Sequence, residues 1–378
     1  MSDIPLFRPW TTTAARERAL AVMASGWLGY GPQCQALEQR FAGTRGGWSL
    51  ATSSGTSALY LAALLCRDAR ALPEVVVPAM TFISSAMAFA HAGFRVRVAD
   101  VDPGSLTLTA EAAARLMTAR TRAIVVVHLY GQRAPELPAL RALADRHGVT
   151  LIEDCAHRID LADSGPRMGD LACFSFNAVK ELPGGEAGLL WGRDPGLETH
   201  ARAMSNTGLA EDTLQRTAGA KHRDYLFSTA TGIKLRSNDI AAALVLGALD
   251  DWPAARATRQ RQFADYDEML APFAPDLEPL VRDADDSCLM YVARARRRAL
   301  LREGLAARRI ATSVHYPSLA RHPLFAADAD PRARDGALDA TIVTLPTALQ
   351  LSADAQARIG AAIADTLGFG AGAVSAAD

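Results

Sequence analysis

Residues 122–155 read RAIVVVHLYGQRAPELPALRALADRHGVTLIEDC, and the order of patterns in this stretch decides the fold. RAIVVVHLY and VTLIED are short β-branched apolar runs, and ELPALRALADRHG between them repeats its apolar residues at helical spacing. A strand, a crossover helix and a second strand make a parallel unit, and runs this continuously apolar have no face left for water. Working outward, the same alternation extends from about residue 48 to 192. WSLA, EVVVP and FRVRVADV precede the stretch, LACFSF and AGLLW follow it, and GTSALYLAALL, SSAMAFAHAG and LTAEAAARLM lie between the early runs. The pattern predicts an α/β fold with a mainly parallel central sheet and flanking helices. In such sheets a ligand sits outside the carboxyl ends of the strands, so residues just after a strand are the first place to look for chemistry.

Beyond residue 196 the pattern changes. Residues 196–236 are polar and weakly periodic, with Lys221, His222, Arg223 and Tyr225, and are expected to form a long loop or lid. From Asn238 a helical pattern runs through IAAALVLGALDDW toward Tyr266, with Asn or Asp as the cap. LMYVARA, LLREGLAARRIATSVHY, ATIVTLP and SADAQARIGAAIADTLG then predict a smaller C-terminal α+β domain, and GFGAGAVSAAD is expected to be a frayed tail. At 378 residues the chain suits two lobes. The expected division is a large domain over 1–245, with its N-terminal arm, and a small one over 246–378.

Composition narrows the function. With 40 Lys plus Arg against 41 Asp plus Glu, the net charge of −1 gives no field to gather nucleic acid or an anionic membrane. The start MSDIPLFRPW lacks a basic and apolar leader pattern, and the most apolar stretches are too short to span a bilayer, so a cytoplasmic location is expected. Five cysteines form no C-x-x-C pair and read as reduced core thiols, and the eight histidines show no metal-ligand spacing. No metal site is expected.

The chemistry-bearing residues follow strands. Lys180, in FSFNAVKELPGGEAG, is an amine nucleophile beside glycines that permit close backbone approach, and Asp154 ends the buried run LIED. Together they are the two protein groups that pyridoxal phosphate chemistry needs most, the amine for the carbonyl and the carboxylate for the pyridine nitrogen. Either alone has a bland reading, a solvated lysine or an acidic helix cap; the coincidence is the signal. Gly55, Thr56 and Ser57 with Ser53 and Ser54 open a helix after WSLA, where free N–H groups and hydroxyls make an anion cradle or a simple cap. Ser175 stands five residues before Lys180 and is placed to add a hydroxyl to the same cradle. Phe82, in PAMTFISS, is placed to lie on a pyridine face, though such an aromatic more often packs a core. His157 is placed to reach the cofactor's phenolic oxygen. His128, His315, Tyr316 and Tyr225 are weaker candidates for lining a substrate cleft.

Taken together, SSGTSAL, P-x-x-TF, HLYG, EDCAH, GDLACFSF-x-x-x-K-x-x-x-GGEAG and VHYPSL resemble the DegT/DnrJ/EryC1/StrS family of sugar aminotransferases, in family order over nearly the whole chain. The resemblance implies the fold-type I aminotransferase architecture, pyridoxal 5′-phosphate as cofactor, and a homodimer with active sites at the interface. It implies amino transfer from glutamate or glutamine to a keto sugar, commonly nucleotide-linked, or to a keto cyclitol, in secondary-metabolite or surface-glycan biosynthesis. By resemblance Lys180 is the Schiff-base lysine, Asp154 the pyridinium partner, His157 the residue at the phenolic oxygen, Phe82 the stacking aromatic, and Gly55, Thr56 and Ser175 phosphate ligands. Relatives with histidine for the lysine are dehydratases; lysine stands here and favours transamination over dehydration or elimination, and over a non-catalytic regulatory role.

Three stretches depart from the family pattern. Gly232-Ile233-Lys234-Leu235-Arg236 replaces G-Y-N-Y-R, whose Asn reaches the phosphate of the partner subunit, so Lys234 is expected to make that contact as a cation. Arg158-Ile159-Asp160 replaces a Gly-Ala, with a shortened stretch to GDLACFSF, and GGEAG replaces GEGG. These changes are expected to bear on the acceptor side.

Overall fold

The computed structural model describes residues 3–43, 46–67, 72–159, 168–217, 224–335 and 338–369. Strands β1 (Trp48–Thr52), β2 (Glu74–Pro78), β3 (Arg95–Ala99), β4 (Thr121–Val127), β5 (Thr150–Asp154), β6 (Leu171–Ser175) and β7 (Gly188–Gly192) form one sheet in the order β1-β7-β6-β5-β4-β2-β3. The pairs among β2 to β6 are parallel, and β7 runs antiparallel to both its neighbours. All seven strands coincide with the apolar runs of the sequence. The fold is the expected α/β architecture with a mainly parallel sheet and helices on both faces.

Side chains alternate across the sheet and so sort the helices into two layers. Leu50, Val75, Val77, Val125, Ile152, Cys173 and Leu190 face helices Gly55–Cys66 and Ser84–His91. On the other face Val76, Ile124, Val126 and Leu151 meet helices Ala110–Leu116 and Leu137–His147, while Ala51, Phe174, Leu189 and Trp191 meet helices Pro32–Gly43 and Asp239–Leu249. The alternation fixes where function goes: Asp154 shares the face of Ile152, and Glu153 the face of Leu151. A second, antiparallel sheet of β8 (Leu277–Pro279), β9 (Val292–Ala295) and β10 (Ile342–Thr344) packs with helices Arg298–Ala307 and Ala353–Leu367.

Two expectations along the chain are corrected. Residues 196–236 are not one long loop, because helices Glu198–Met204 and Thr213–Thr217 interrupt them. The first is too short to show a period, and its Arg202 is held by Glu198 at 2.8 Å and Glu38 at 2.9 Å. The pattern running toward Tyr266 is two helices, Asp239–Leu249 and Trp252–Leu270, divided at Asp250 and Asp251 ahead of Pro253. Asn238 does cap the first, its side chain accepting from the Ala241 N–H at 3.0 Å. Lys221, His222, Arg223, Asp160 with the rest of the 160–167 stretch, and most of the expected tail lie outside the described residues. No helix among the described residues is long and apolar enough to cross a membrane.

Candidate active site

Asp154 ends β5 and is 4 % exposed, with the Ser85 hydroxyl donating to Oδ2 at 2.7 Å and the Ala156 N–H to Oδ1 at 3.0 Å. Burial raises its pKa, while Ser85, Ala156, Lys180 and His128 pull it down. Lys180 stands in the turn after β6, which closes with the Lys180 N–H on the Asn177 carbonyl at 2.9 Å. Its amine is close enough to Asp154 for each to shift the other's titration. Burial pushes the amine down to about 8, and the Asp154 carboxylate opposes that shift. An amine so placed has a far larger neutral, nucleophilic fraction near physiological pH than an ordinary lysine. Lys180, Lys221 and Lys234 are the only lysines in the sequence. Acylation of the apoprotein, mapped by mass spectrometry, is therefore expected to show Lys180 half-reactive near pH 8; a midpoint near 10.5 would contradict the burial.

The alternation of β5 and β6 sends Asp154 and Ser175 to the face of helix Gly55–Cys66. Ser54 caps that helix, its hydroxyl accepting from the Ser57 N–H at 3.0 Å, and Ala58 donates to the Ser54 carbonyl at 3.1 Å. This leaves the first N–H groups, those of Gly55 and Thr56, aimed off the helix end. A Cβ on Gly55 would sit 2.8 Å from the Ser175 Cβ, so the helix start and the end of β6 touch only because residue 55 has no side chain. The Thr56 hydroxyl donates to Ser84 at 2.8 Å, and Ser53 and Ser57 share a hydrogen bond of 2.8 Å. N–H donors and hydroxyls converging at a helix N-terminus fit a phosphate. Gly55→Val is expected to weaken binding of pyridoxal phosphate to the apoprotein by about 10- to 100-fold, the worth of one charge-assisted hydrogen bond, with circular dichroism unchanged; equilibrium dialysis reads it.

His157 is 3 % exposed and its orientation is determined by an unambiguous donor: the Tyr130 N–H donates to Nδ1 at 3.2 Å. Burial, with Lys180 and His315 nearby, drives its pKa well below 6.5, so the ring is neutral and carries its proton on Nε2. Nε2 lies 3.1 Å from the Tyr316 hydroxyl, and the two rings stack with centroids 5.9 Å apart. Phe82, 52 % exposed, tilts over Tyr316 at 5.5 Å, and His315 packs edge-on to Tyr316 at 5.0 Å. Burial lowers the His315 pKa to about 4. Lys180, Asp154, His157, Phe82, His315 and Tyr316 thus form one cluster at the carboxyl ends of β4, β5 and β6, beside the Gly55, Thr56, Ser57 and Ser175 cradle.

Three expected residues fall outside it. His128 does not line a cleft: it is 1 % exposed on the opposite face of the sheet, accepting from the Ala134 N–H at Nδ1, 3.2 Å away, with Nε2 2.8 Å from Glu153. Strand alternation after Val127 dictates this. Tyr225 is on the surface, 57 % exposed, under the Arg216 guanidinium at 3.9 Å. Lys234 is exposed, in a segment whose Leu235 carbonyl accepts from the Ser53 N–H at 2.7 Å. Arg158 does not face the acceptor side either; it is 1 % exposed and ion-paired with Asp286. The sequence reading missed Ser85 and Tyr130. Ser85 gives no signal in a Ser-rich helix start, whereas Tyr130 stands in HLYG, where the histidine is the more reactive type.

A nucleophilic amine and a buried carboxylate at the carboxyl edge of a mainly parallel sheet, beside a phosphate cradle at a helix start, define a pyridoxal-phosphate-dependent aminotransferase. Comparisons agree. The model of the DegT/DnrJ/EryC1/StrS aminotransferase family matches residues 11–364, and the chain belongs to that family. It is 32 % identical over 304 residues, 79 % of each chain, to the erythromycin biosynthesis sensory transduction protein EryC1 of Saccharopolyspora erythraea. Its structure is similar to that of the aminotransferase TlmJ from Streptoalloteichus hindustanus, at 29 % identity and a TM-score of 0.85, covering 97 % of this chain and 99 % of that one. It is also similar to the sugar aminotransferase CalS13 from Micromonospora echinospora, at 27 % identity and a TM-score of 0.84, covering 96 % and 99 %.

Proposed function

We propose that this enzyme transfers an amino group from glutamate or glutamine to a cyclic keto sugar, nucleotide-linked, or to a keto cyclitol, in secondary-metabolite or surface-glycan biosynthesis. The single observation that carries the chemistry is the coupled pair of Lys180 and Asp154. Similarity to a sugar aminotransferase over almost the full chain supports a sugar acceptor. In this reading Lys180 holds the cofactor and moves a proton between the donor's α-carbon and the cofactor's C4′. Asp154, held by Ser85, keeps the pyridine nitrogen protonated. Gly55, Thr56, Ser57 and Ser175 take the phosphate, Phe82 covers the ring, and His157 offers its Nε2–H to the phenolic oxygen. When bound, pyridoxal phosphate supplies the electron sink for the α-carbanion.

The working unit in this reading is a homodimer. Its support is the exposed apolar run Tyr225, Leu226, Phe227 and Ile233, with Phe227 81 % exposed, next to Lys234. A second copy covering that face would bring Lys234 to the other copy's phosphate and Tyr225 toward its substrate. In this reading the large domain spans 1–245 and the small one 246–378, a division supported by the packing of helix Asp239–Leu249, most of which lies before the boundary, on the first sheet. Incubation with 15N-glutamate and a panel of cyclic keto sugars, with and without a nucleotide, tests the reaction. Expected is an acceptor that gains one 15N amine; a product that loses water without gaining nitrogen would replace this proposal with dehydration.

A further inference from the structure

We infer that Arg158 is a positioning residue that fixes which nitrogen of His157 carries the proton. The two side chains belong to a closed ring of bonds. Arg158 follows His157 in the chain, and its Nη1 donates to the Gly131 carbonyl at 3.0 Å. Gly131 follows Tyr130, whose N–H donates to His157 Nδ1 at 3.2 Å. Two covalent links and two hydrogen bonds therefore return to the starting imidazole. Opening the ring at Arg158 removes the one bond that ties the Gly131 carbonyl to the residue after His157, leaving the loop held only from residues 286–290 and the Tyr130 N–H able to shift off Nδ1. Nε2 can then accept from the Tyr316 hydroxyl, and the proton passes to Nδ1.

The Tyr130 loop needs such a restraint. Tyr130 has φ of 61° and ψ of 2°, a left-handed conformation that is unfavourable for a residue with a side chain. Gly131 continues it at φ of +103°, where a Cβ would lie 2.6 Å from the Ser287 hydroxyl. The loop is held against residues 286–290: the Ser287 N–H donates to the Gly131 carbonyl at 3.0 Å, and the Leu289 and Met290 N–H groups to the Tyr130 carbonyl at 3.1 and 3.2 Å. Asp286, 2 % exposed, completes the clamp, its Oδ1 accepting from the Arg133 N–H at 3.1 Å and from Arg158 Nη1 at 3.3 Å. Arg158 Nη2 also pairs with Asp285 at 3.3 Å. A fully buried guanidinium is costly, and an ion pair of this kind adds little stability over apolar residues of like size. Its value lies in direction, since a planar fork aims two donors at once.

The consequence for catalysis rests on the proposed placement of His157 at the phenolic oxygen, and two measurements separate the two ideas. In apoprotein labelled with 15N-histidine, assigned with His157→Gln, the wild type is expected to show His157 with a protonated Nε2 and a bare Nδ1. Arg158→Met, and Arg158→Met/Asp286→Leu as the variant that leaves no buried charge unpaired, are expected to mix or invert that pattern, with Arg158→Lys restoring it in part. An unchanged pattern in the folded double variant overturns the inference, because a merely structural arginine would alter only the melting temperature. The second measurement is pyridoxal phosphate affinity by dialysis, expected to fall about tenfold in the double variant, the worth of one hydrogen bond. An inverted pattern with unchanged affinity supports the role of Arg158 and removes His157 from the cofactor.

Discussion

Lys180→Ala abolishes amino transfer, with kcat falling at least ~10⁴-fold, because one side chain is both the covalent anchor of the cofactor and the proton carrier. The absorbance band near the visible edge, given by cofactor joined to a protein amine, disappears with it. Residual turnover above one part in a thousand, or a band of undiminished strength, would show that another amine does this work. Stability moves in a different direction. The folded pKa of about 8 lies below the ordinary 10.5, so the unfolded chain binds the proton more tightly and the charge on this amine does not favour the fold at pH 7. The wild-type apoprotein gains stability as pH rises from about 8 toward 10.5, and Lys180→Ala lacks that gain; urea titrations across the window measure it.

Asp154→Asn is the second large effect. Asparagine keeps the size of the side chain and a partner for Ser85 but loses the charge that holds a pyridinium proton. A charge-assisted hydrogen bond is worth about 1.5–3 kcal/mol, so kcat/KM is expected to fall about 10- to 200-fold from binding geometry alone, and further through the weakened electron sink. Burial raises the Asp154 pKa, which means the buried charge opposes folding at neutral pH. The variant is therefore expected to melt no lower than wild type while losing most activity. A lowered melting temperature with near-normal kinetics would make Asp154 a structural residue.

The sheet was legible because its strands are continuous apolar runs and its crossovers are amphipathic. Short elements were not: Glu198–Met204 completes barely two turns and Leu277–Pro279 has three residues, too few for a period to emerge. Lys180 and Asp154 were legible as a pair because each follows a buried strand in a chemically unusual type. The face each side chain takes was not. EDCAH offers Glu153 and Asp154 side by side, and only the register of Asp154 with Cys173 and Val127 decides that Asp154 turns toward helix Ser84–His91. The same ambiguity misplaced His128, which shares the face of Glu153. Tyr130 was missed because its contribution is a backbone N–H, which every residue except proline carries.

β1 lies at the edge of the sheet, and its one neighbouring strand there is β7, made more than a hundred residues later. A ribosome that has released the chain only as far as β5 has therefore exposed a finished strand with no neighbour and a helix start whose anion cradle lacks its Ser175 wall. The cradle is whole only once β6 has been made, and the anchoring amine of Lys180 follows Ser175 by five residues, so both halves of the cofactor seat are finished by the same late stretch of chain.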